Sequence, residues 1–302
     1  MLTRMEKSLA IVGAGRVGRA LGRRLRELGW KIGVVVTRSE ASARRAVRFI
    51  GAGKPHGGLT RHVLLSHVIL IATPDDAISG VARELARMGG EELRGKVVLH
   101  TNGAQDSRAL VPVKENGAAT GSMHPLQTFS GVGVPNLAGK VFAVEGDIVA
   151  VRAARQIARV LGGSPVQIAA GKKVLYHAAA ALAAGHVLAL VEAATQLLIS
   201  LGMKRSEATH ALLPLTCQVL DNFERVGPRA AWTGPLARGD YRTVESHLRA
   251  LSDSREEVAV AYDAVNRLAA AVLSQDAAAT AVELENISAA LKPKVKARGG
   301  NG

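Results

Sequence analysis

Cysteine is almost absent: Cys217 is the one thiol in 302 residues. That excludes an internal disulfide framework and a cysteine-rich zinc site, and it fits a reducing, cytoplasmic setting. Aromatic residues are as scarce, at 3%, so the chain offers no stacking platform for single-stranded nucleic acid. It also carries no helix-turn-helix, zinc-finger or ribonucleoprotein motif. The longest apolar run, around Ala178–Val191, contains His186 and is closed by Glu192, short of the ~18 residues that a membrane span needs. Met1 to Gly13 holds no signal-peptide core with a cleavage site. Neither nucleic acid nor a membrane is therefore an expected partner. Apolar types are abundant at 48%, against 21% charged, as in a folded globular chain. The length corresponds to two domains, since one core rarely grows beyond ~250–300 residues.

The net charge of +14 is unevenly placed. Residues 1–62 hold fourteen Lys/Arg against three acids, Glu6, Glu27 and Glu40, and Lys292–Gly302 adds four cations and no acid. The surplus near the start coincides with a glycine turn. Ser8–Val12 is a short apolar run that stops at Gly13-Ala14-Gly15-Arg16-Val17-Gly18, and Val17, Leu21, Leu25 and Leu28 then follow at helical spacing. Strand, glycines and helix in this order form the context that makes a G-x-G-x-x-G motif credible as a dinucleotide cradle. Gly13 serves the tight turn, Gly15 the approach of a pyrophosphate, and Gly18 the packing of helix on strand.

The second strand, Lys31–Val36, ends in Thr37-Arg38-Ser39. An NAD-binding chain offers an acid to the ribose 2′-hydroxyl at this place; an arginine between two hydroxyls reads a 2′-phosphate instead. The residues thus predict NADP(H), the alternative being that Arg38 is an ordinary solvated arginine. Strands are expected over His67–Ala72 and Lys96–His100, so the turns Ala72-Thr73-Pro74 and Thr101-Asn102-Gly103 should line the nicotinamide half. Asp75 and Asp76 read as the cap and first turn of the next helix, and Gly51–Gly58 as a surface loop. His56 and His62 in and beside it read as solvated.

The second half turns helical near residue 170. His124, in Gly121-Ser122-Met123-His124-Pro125, is either presented into a cleft or hydrogen-bonded within a turn. Lys173 opens an Ala/Leu-rich helix that runs toward Gly202 and is apolar around most of its circumference, which predicts burial on several sides and suggests a subunit interface. His177 lies four residues on, on the same face. A buried amine at a helix start has the lowered pKa that a proton donor needs; on a solvated start the pair would be idle. Farther on, Thr233-Gly234-Pro235-Leu236-Ala237-Arg238-Gly239-Asp240 reads as a loop in which Arg238 either clamps a substrate carboxylate or pairs with Asp240.

Taken together, the glycine turn, Thr37-Arg38-Ser39, Thr73-Pro74-Asp75-Asp76, Gly121–Phe129, Lys173-x-x-Tyr176-His177 and Thr233–Asp240 resemble the family in which a Rossmann-like domain is joined to domain of unknown function 2520. That family is similar in architecture to pyrroline-5-carboxylate reductases, ketopantoate reductases and the 6-phosphogluconate dehydrogenase superfamily. The resemblance implies an α/β fold, with a doubly wound sheet followed by an all-α bundle. The domains would be 1–170 for NADP binding, 171–291 for substrate and dimerisation, and 292–302 as a flexible basic tail. It also implies a homodimer formed through the helical domain, and an oxidoreductase passing a hydride from NADPH to a C=O or C=N group of a small, carboxylated substrate. Lys173 would be the proton donor, with His177 and His124 assisting and Gln127, Thr233 and Arg238 binding substrate. His177 stands where the superfamily has asparagine, Ala184-Gly185 where members show serine-asparagine, and Asn102 where serine is common. A protein that binds NADP(H) as a sensor without turnover is the competing expectation.

Overall fold

The computed structural model describes residues 7–291, so the expected basic tail lies outside the described residues. The chain divides into two compact units at Gly185/His186. Lys173 and His177 therefore fall in the sheet-bearing unit, although a boundary at residue 170 assigns them to the helical one.

The first unit is built on one eight-stranded sheet, ordered β3-β2-β1-β4-β5-β6-β7-β8. Its strands are β1 (Ser8–Val12), β2 (Lys31–Thr37), β3 (Lys54–Gly57), β4 (Val68–Ile71), β5 (Val97–His100), β6 (Ala119–Pro125), β7 (Val141–Gly146) and β8 (Ser164–Gln167). The first six are parallel, β7 runs antiparallel to β6, and β8 is parallel to β7. Helices α1 (Arg16–Glu27), α2 (Glu40–Ile50), α3 (Ile78–Gly89), α4 (Val111–Glu115) and α5 (Ile148–Val160) connect the strands, and α6 (Lys173–Ala181) follows. Alternation sorts the core into two layers. Leu9 and Ile11 face Leu21, Leu25 and Ile157, while Ala10 and Val12 face Ile78, Ala82 and Leu85. A central strand buried on both faces reads as an unbroken apolar run, as Ser8–Val12 does. The strand order reverses between β1 and β4, which opens a crevice at their carboxyl ends.

Two expectations are corrected here. The glycine-rich stretch contains strand β3, whose backbone pairs with β2; Pro55 is tolerated because β3 is the sheet edge. Asp75 and Asp76 do form an acidic first turn, a short 3-10 segment that runs into α3, but its cap position is Pro74 and neither side chain acts as a cap.

The second unit is helical: α7 (Val187–Ser200), α8 (Arg205–Val226), α9 (Pro228–Ala231), α10 (Tyr241–Ser254), α11 (Glu256–Leu273) and α12 (Ala277–Leu291). Its core gathers Leu236, Val244, Leu248, Ala270, Leu284 and Ile287. A π-helical turn, Leu182–His186, separates α6 from α7. The helical stretch Lys173–Ser200 departs from expectation twice. With a mean hydropathy of 1.8 over its best window, it is long and apolar enough to cross a membrane, by length and composition. It is also open within a single chain where burial was expected, with Leu175 71% and Leu188 70% exposed. Isolated polar residues such as Glu192 interrupt the apolar run but hardly lower its average.

Candidate active site

The glycine turn follows β1 directly. Gly13 has φ +88°, and a Cβ there would meet the Ala72 and Thr73 backbone at 2.6 Å. A Cβ on Gly18 would collide with the Gly13 carbonyl, whereas Gly15 has no atom within 4 Å of its Cβ position. Two glycines are thus required by packing, and the middle one, at the cap position of α1, faces open space. Ala14 and Val17 pack against the core, and Arg16 is exposed at the helix start. The first turn of α1 contains no acid, which leaves its positive end uncompensated. Gly131 lies against this end, near Arg16, and its carbonyl accepts from Arg19 at 3.1 Å.

At the end of β2, Thr37 Oγ1 donates to the Ser39 carbonyl at 2.8 Å, and Ser39 caps α2 through the Ser42 N–H. Arg45 donates to Ser42 Oγ at 2.8 Å. Arg38 is exposed and makes no hydrogen bond or ion pair among the described residues.

The turns after β4 and β5 hold buried polar atoms without partners: Thr73 Oγ1, Asn102 Nδ2 and Gln105 Oε1. Leaving such groups unpaired in the interior is costly, and a bound ligand is one way to satisfy them. Asn102 Oδ1 is occupied, accepting the Ala104 and Gln105 N–H groups at 2.6 Å each. Ala72 donates its N–H to Val12 and Thr101 to Ile71, tying both turns to the sheet.

Beside the second turn stands a cluster of titratable groups. Lys173, 1% exposed, donates to the Asn102 carbonyl at 2.6 Å and to Ser122 Oγ at 2.8 Å. Burial lowers its pKa to about 8, against the opposing pull of Glu145 and Asp106. His124 lies on β6, and its Nδ1 is 2.9 Å from the Tyr176 hydroxyl. Burial, aided by the Lys173 charge, holds His124 down to about 4, and burial pushes Tyr176 up to about 12. The His177 ring meets His124 edge-on at 5.7 Å, and both press on Gly103, where a Cβ would collide with His177. Beneath them His100 is fully buried, accepting the Asn102 N–H at Nδ1 and donating from Nε2 to the Asp106 carbonyl at 3.1 Å. Burial lowers it to about 4.

The structure therefore gathers Lys173, His124, His177, Asn102 and Gly103 in one place, and the amine is buried, which settles the choice against a solvated helix start. Gln127 lies apart from these contacts, its amide donating to the Asn136 carbonyl at 3.4 Å. Thr233 and Arg238, both exposed, belong to the helical unit. Asp240 caps α10, with both oxygens bound to Thr243, and forms no ion pair with Arg238. Four residues of the cluster escaped the sequence reading as site residues: Gln105, Ser122, Glu145 and Tyr176. Only Tyr176 left a signal, standing three residues after Lys173 and so on its helix face.

Residues 2–125 match the Rossmann-like domain model, and residues 140–269 match DUF2520, a domain of unknown function. No curated protein matches the chain. Among solved structures it is similar to a protein from Thermotoga maritima, with 26% identity and a TM-score of 0.67 over 92% of this chain and 98% of that one. It is similar in fold to a reductive aminase from Aspergillus terreus in complex with NADPH and ethyl-5-oxohexanoate (19% identity, TM-score 0.61, covering 98% and 96%). An imine reductase from Bacillus cereus shares the fold at 17% identity and TM-score 0.56, covering 94% and 93%. Matched in this order, the two models make the chain a Rossmann-like domain followed by a DUF2520 region.

Proposed function

We propose that the protein is an NADP(H)-dependent reductase acting on a C=N or C=O group of a small, carboxylated substrate. The observation that carries this reading is the buried Lys173 amine, held against Asn102 at the turn that also bears an orphaned amide. The residues fit the cofactor: the open Gly15 and the α1 start suit a pyrophosphate, and exposed Arg38 beside Thr37 and Ser39 suits a 2′-phosphate. The orphaned atoms of Thr73, Asn102 and Gln105 offer both donors and acceptors to a carboxamide. When bound, the dinucleotide would supply the hydride.

The chain's own residues supply the proton and the positioning. Two of the three Lys173 N–H groups are committed to Asn102 and Ser122, leaving one to meet a nitrogen or oxygen that gains electrons. A pKa near 8 lets this amine give and regain a proton near neutrality. His124 stays neutral, accepts the Tyr176 hydroxyl and walls the site with His177. Two relatives in fold are an imine reductase and a reductive aminase, which supports the C=N side of the choice. Arg238, exposed and without a hydrogen bond or close ion pair among the described residues, though its charge is felt by Asp240, is the candidate for a substrate carboxylate, with Thr233 and Gln127 as further polar contacts. A homodimer formed through the open apolar helix Lys173–Ser200 covers that surface; Glu192 on it is already paired with Arg205 at 2.7 Å. The single exposed cysteine keeps a cytoplasmic setting as the proposed location.

Loss of NADPH absorbance is to be followed with cyclic imines and 2-keto acids. At least one substrate should turn over, and Lys173→Ala should lose about a hundredfold or more, within the range for general acids. Stoichiometric NADPH binding without oxidation of any substrate overturns the reductase reading in favour of a sensor.

A further inference from the structure

Glu145 is 5% exposed and lies directly opposite Ser122 in the β6–β7 register, while Ser122 is opposite His100 in the β5–β6 register. The three side chains thus form one row across the sheet, because residues opposite each other in neighbouring strands share a face. Both Glu145 oxygens accept hydrogen bonds: from Ser107 Oγ at 2.7 Å, from the Ser107 N–H at 2.8 Å and from Ser122 Oγ at 3.3 Å. All three donors are neutral, and Glu145 has no ion pair among the described residues. A buried carboxylate without a counter-charge is costly. The buried compensating charge is Lys173, one hydroxyl away, which donates to the same Ser122 oxygen; the exposed Arg108 guanidinium, tied to Asp106, also feels the Glu145 charge. Other charged or titratable groups face Lys173 as well. Asp106, in the turn after β5, is tied to Arg108 through both oxygens, while His100 on β5 and His124 on β6 are neutral above about 4. His177, on its own helix, packs on His124.

We propose that Glu145 is a positioning residue for Lys173, its carboxylate holding the ammonium through the Ser122 hydroxyl. Relevance to catalysis rests on the reductase reading; the electrostatic pairing does not. Ser122 accepts from the amine and donates to the carboxylate, so the row fixes both the direction of the amine and its readiness to hold a proton.

The test is a titration of Lys173 by NMR of its side-chain carbon and nitrogen, in the whole protein without substrate, for wild type, Glu145→Gln and Glu145→Asp. Glutamine keeps the size and still accepts from Ser107 but removes the charge. The Lys173 midpoint should fall by about one pH unit in Glu145→Gln, a tenfold loss of proton affinity, and return toward wild type in Glu145→Asp. A midpoint unchanged in folded Glu145→Gln overturns the proposal. If that variant does not fold, Ser122→Ala decides: it cuts the link with a small deletion, and an unmoved midpoint there is equally fatal. The pH profile of kcat on a reduced substrate should shift its basic limb the same way. A wild type without turnover defeats the reductase reading alone, since the titration does not depend on it.

Discussion

The Tyr176 hydroxyl lies 2.9 Å from His124 Nδ1, with the two rings meeting edge-on at 5.7 Å between centroids. With the histidine pushed down to about 4 and the phenol up to about 12, the proton stays on the tyrosine oxygen and Nδ1 accepts it. The hydrogen of the neutral imidazole is then on Nε2, the nitrogen beside Gly103. Tyr176→Phe removes the group that selects this tautomer. Nitrogen NMR of His124 should show one tautomer in wild type and a mixture in the variant, with kcat falling by about tenfold to a hundredfold. An unmixed tautomer in Tyr176→Phe contradicts the assignment.

His100 and His124 make stability depend on pH. Both have native values near 4, below the ordinary 6.5, so the unfolded chain binds protons that the native chain refuses. Their contribution is complete above 6.5 and is lost as pH falls toward 4, with a slope of up to about 1.4 kcal/mol per pH unit for each. Thermal unfolding between these limits should show a falling Tm, and His100→Gln should flatten the fall. A Tm independent of pH across that window in wild type argues against neutral burial.

The three glycines of the turn should separate folding from binding. Gly18→Ala drives a methyl into the Gly13 carbonyl, and crowding of this kind costs about 1–3 kcal/mol, lowering the Tm of the free protein. Gly15→Ala meets nothing within 4 Å, so Tm should hold, while NADPH affinity drops by more than about tenfold. Equal effects of Gly15→Ala on the free and the NADPH-bound protein would contradict a ligand role for Gly15.

Much of this site was legible in the sequence because its signals are local. The apolar run, the glycines and the following helix sit within a few residues, and the tight turn at Gly13 and close packing at Gly18 match the roles assigned to them. Strand β3 was hidden because it owes its existence to backbone pairing with β2, and glycines and a proline give no pattern for that. Ser122 and Glu145 were hidden for a similar reason. Their partnership is created by the β6–β7 register, across 23 residues of chain, and nothing near either one announces it. The exposure of the long helix was beyond a single sequence as well, since an apolar helix reads the same whether its own chain or a second copy covers it.

That helix predicts assembly. Leu188 is 70% exposed on α7, and large open apolar surfaces mark interaction sites. Sedimentation should give a dimer for wild type, and Leu188→Glu should shift it to monomer without unfolding. A wild type that is monomeric at micromolar concentration contradicts coverage by a second copy.

Calorimetric titration with NADPH and NADH bears most directly on the proposed cradle of the glycine turn and Arg38. One saturable site per chain is expected, with NADPH tighter than NADH by about tenfold or more, as one charge-assisted contact allows. Arg38→Glu should erase most of that difference while leaving NADH binding nearly unchanged. Absence of saturable heat with either nucleotide contradicts the cradle itself.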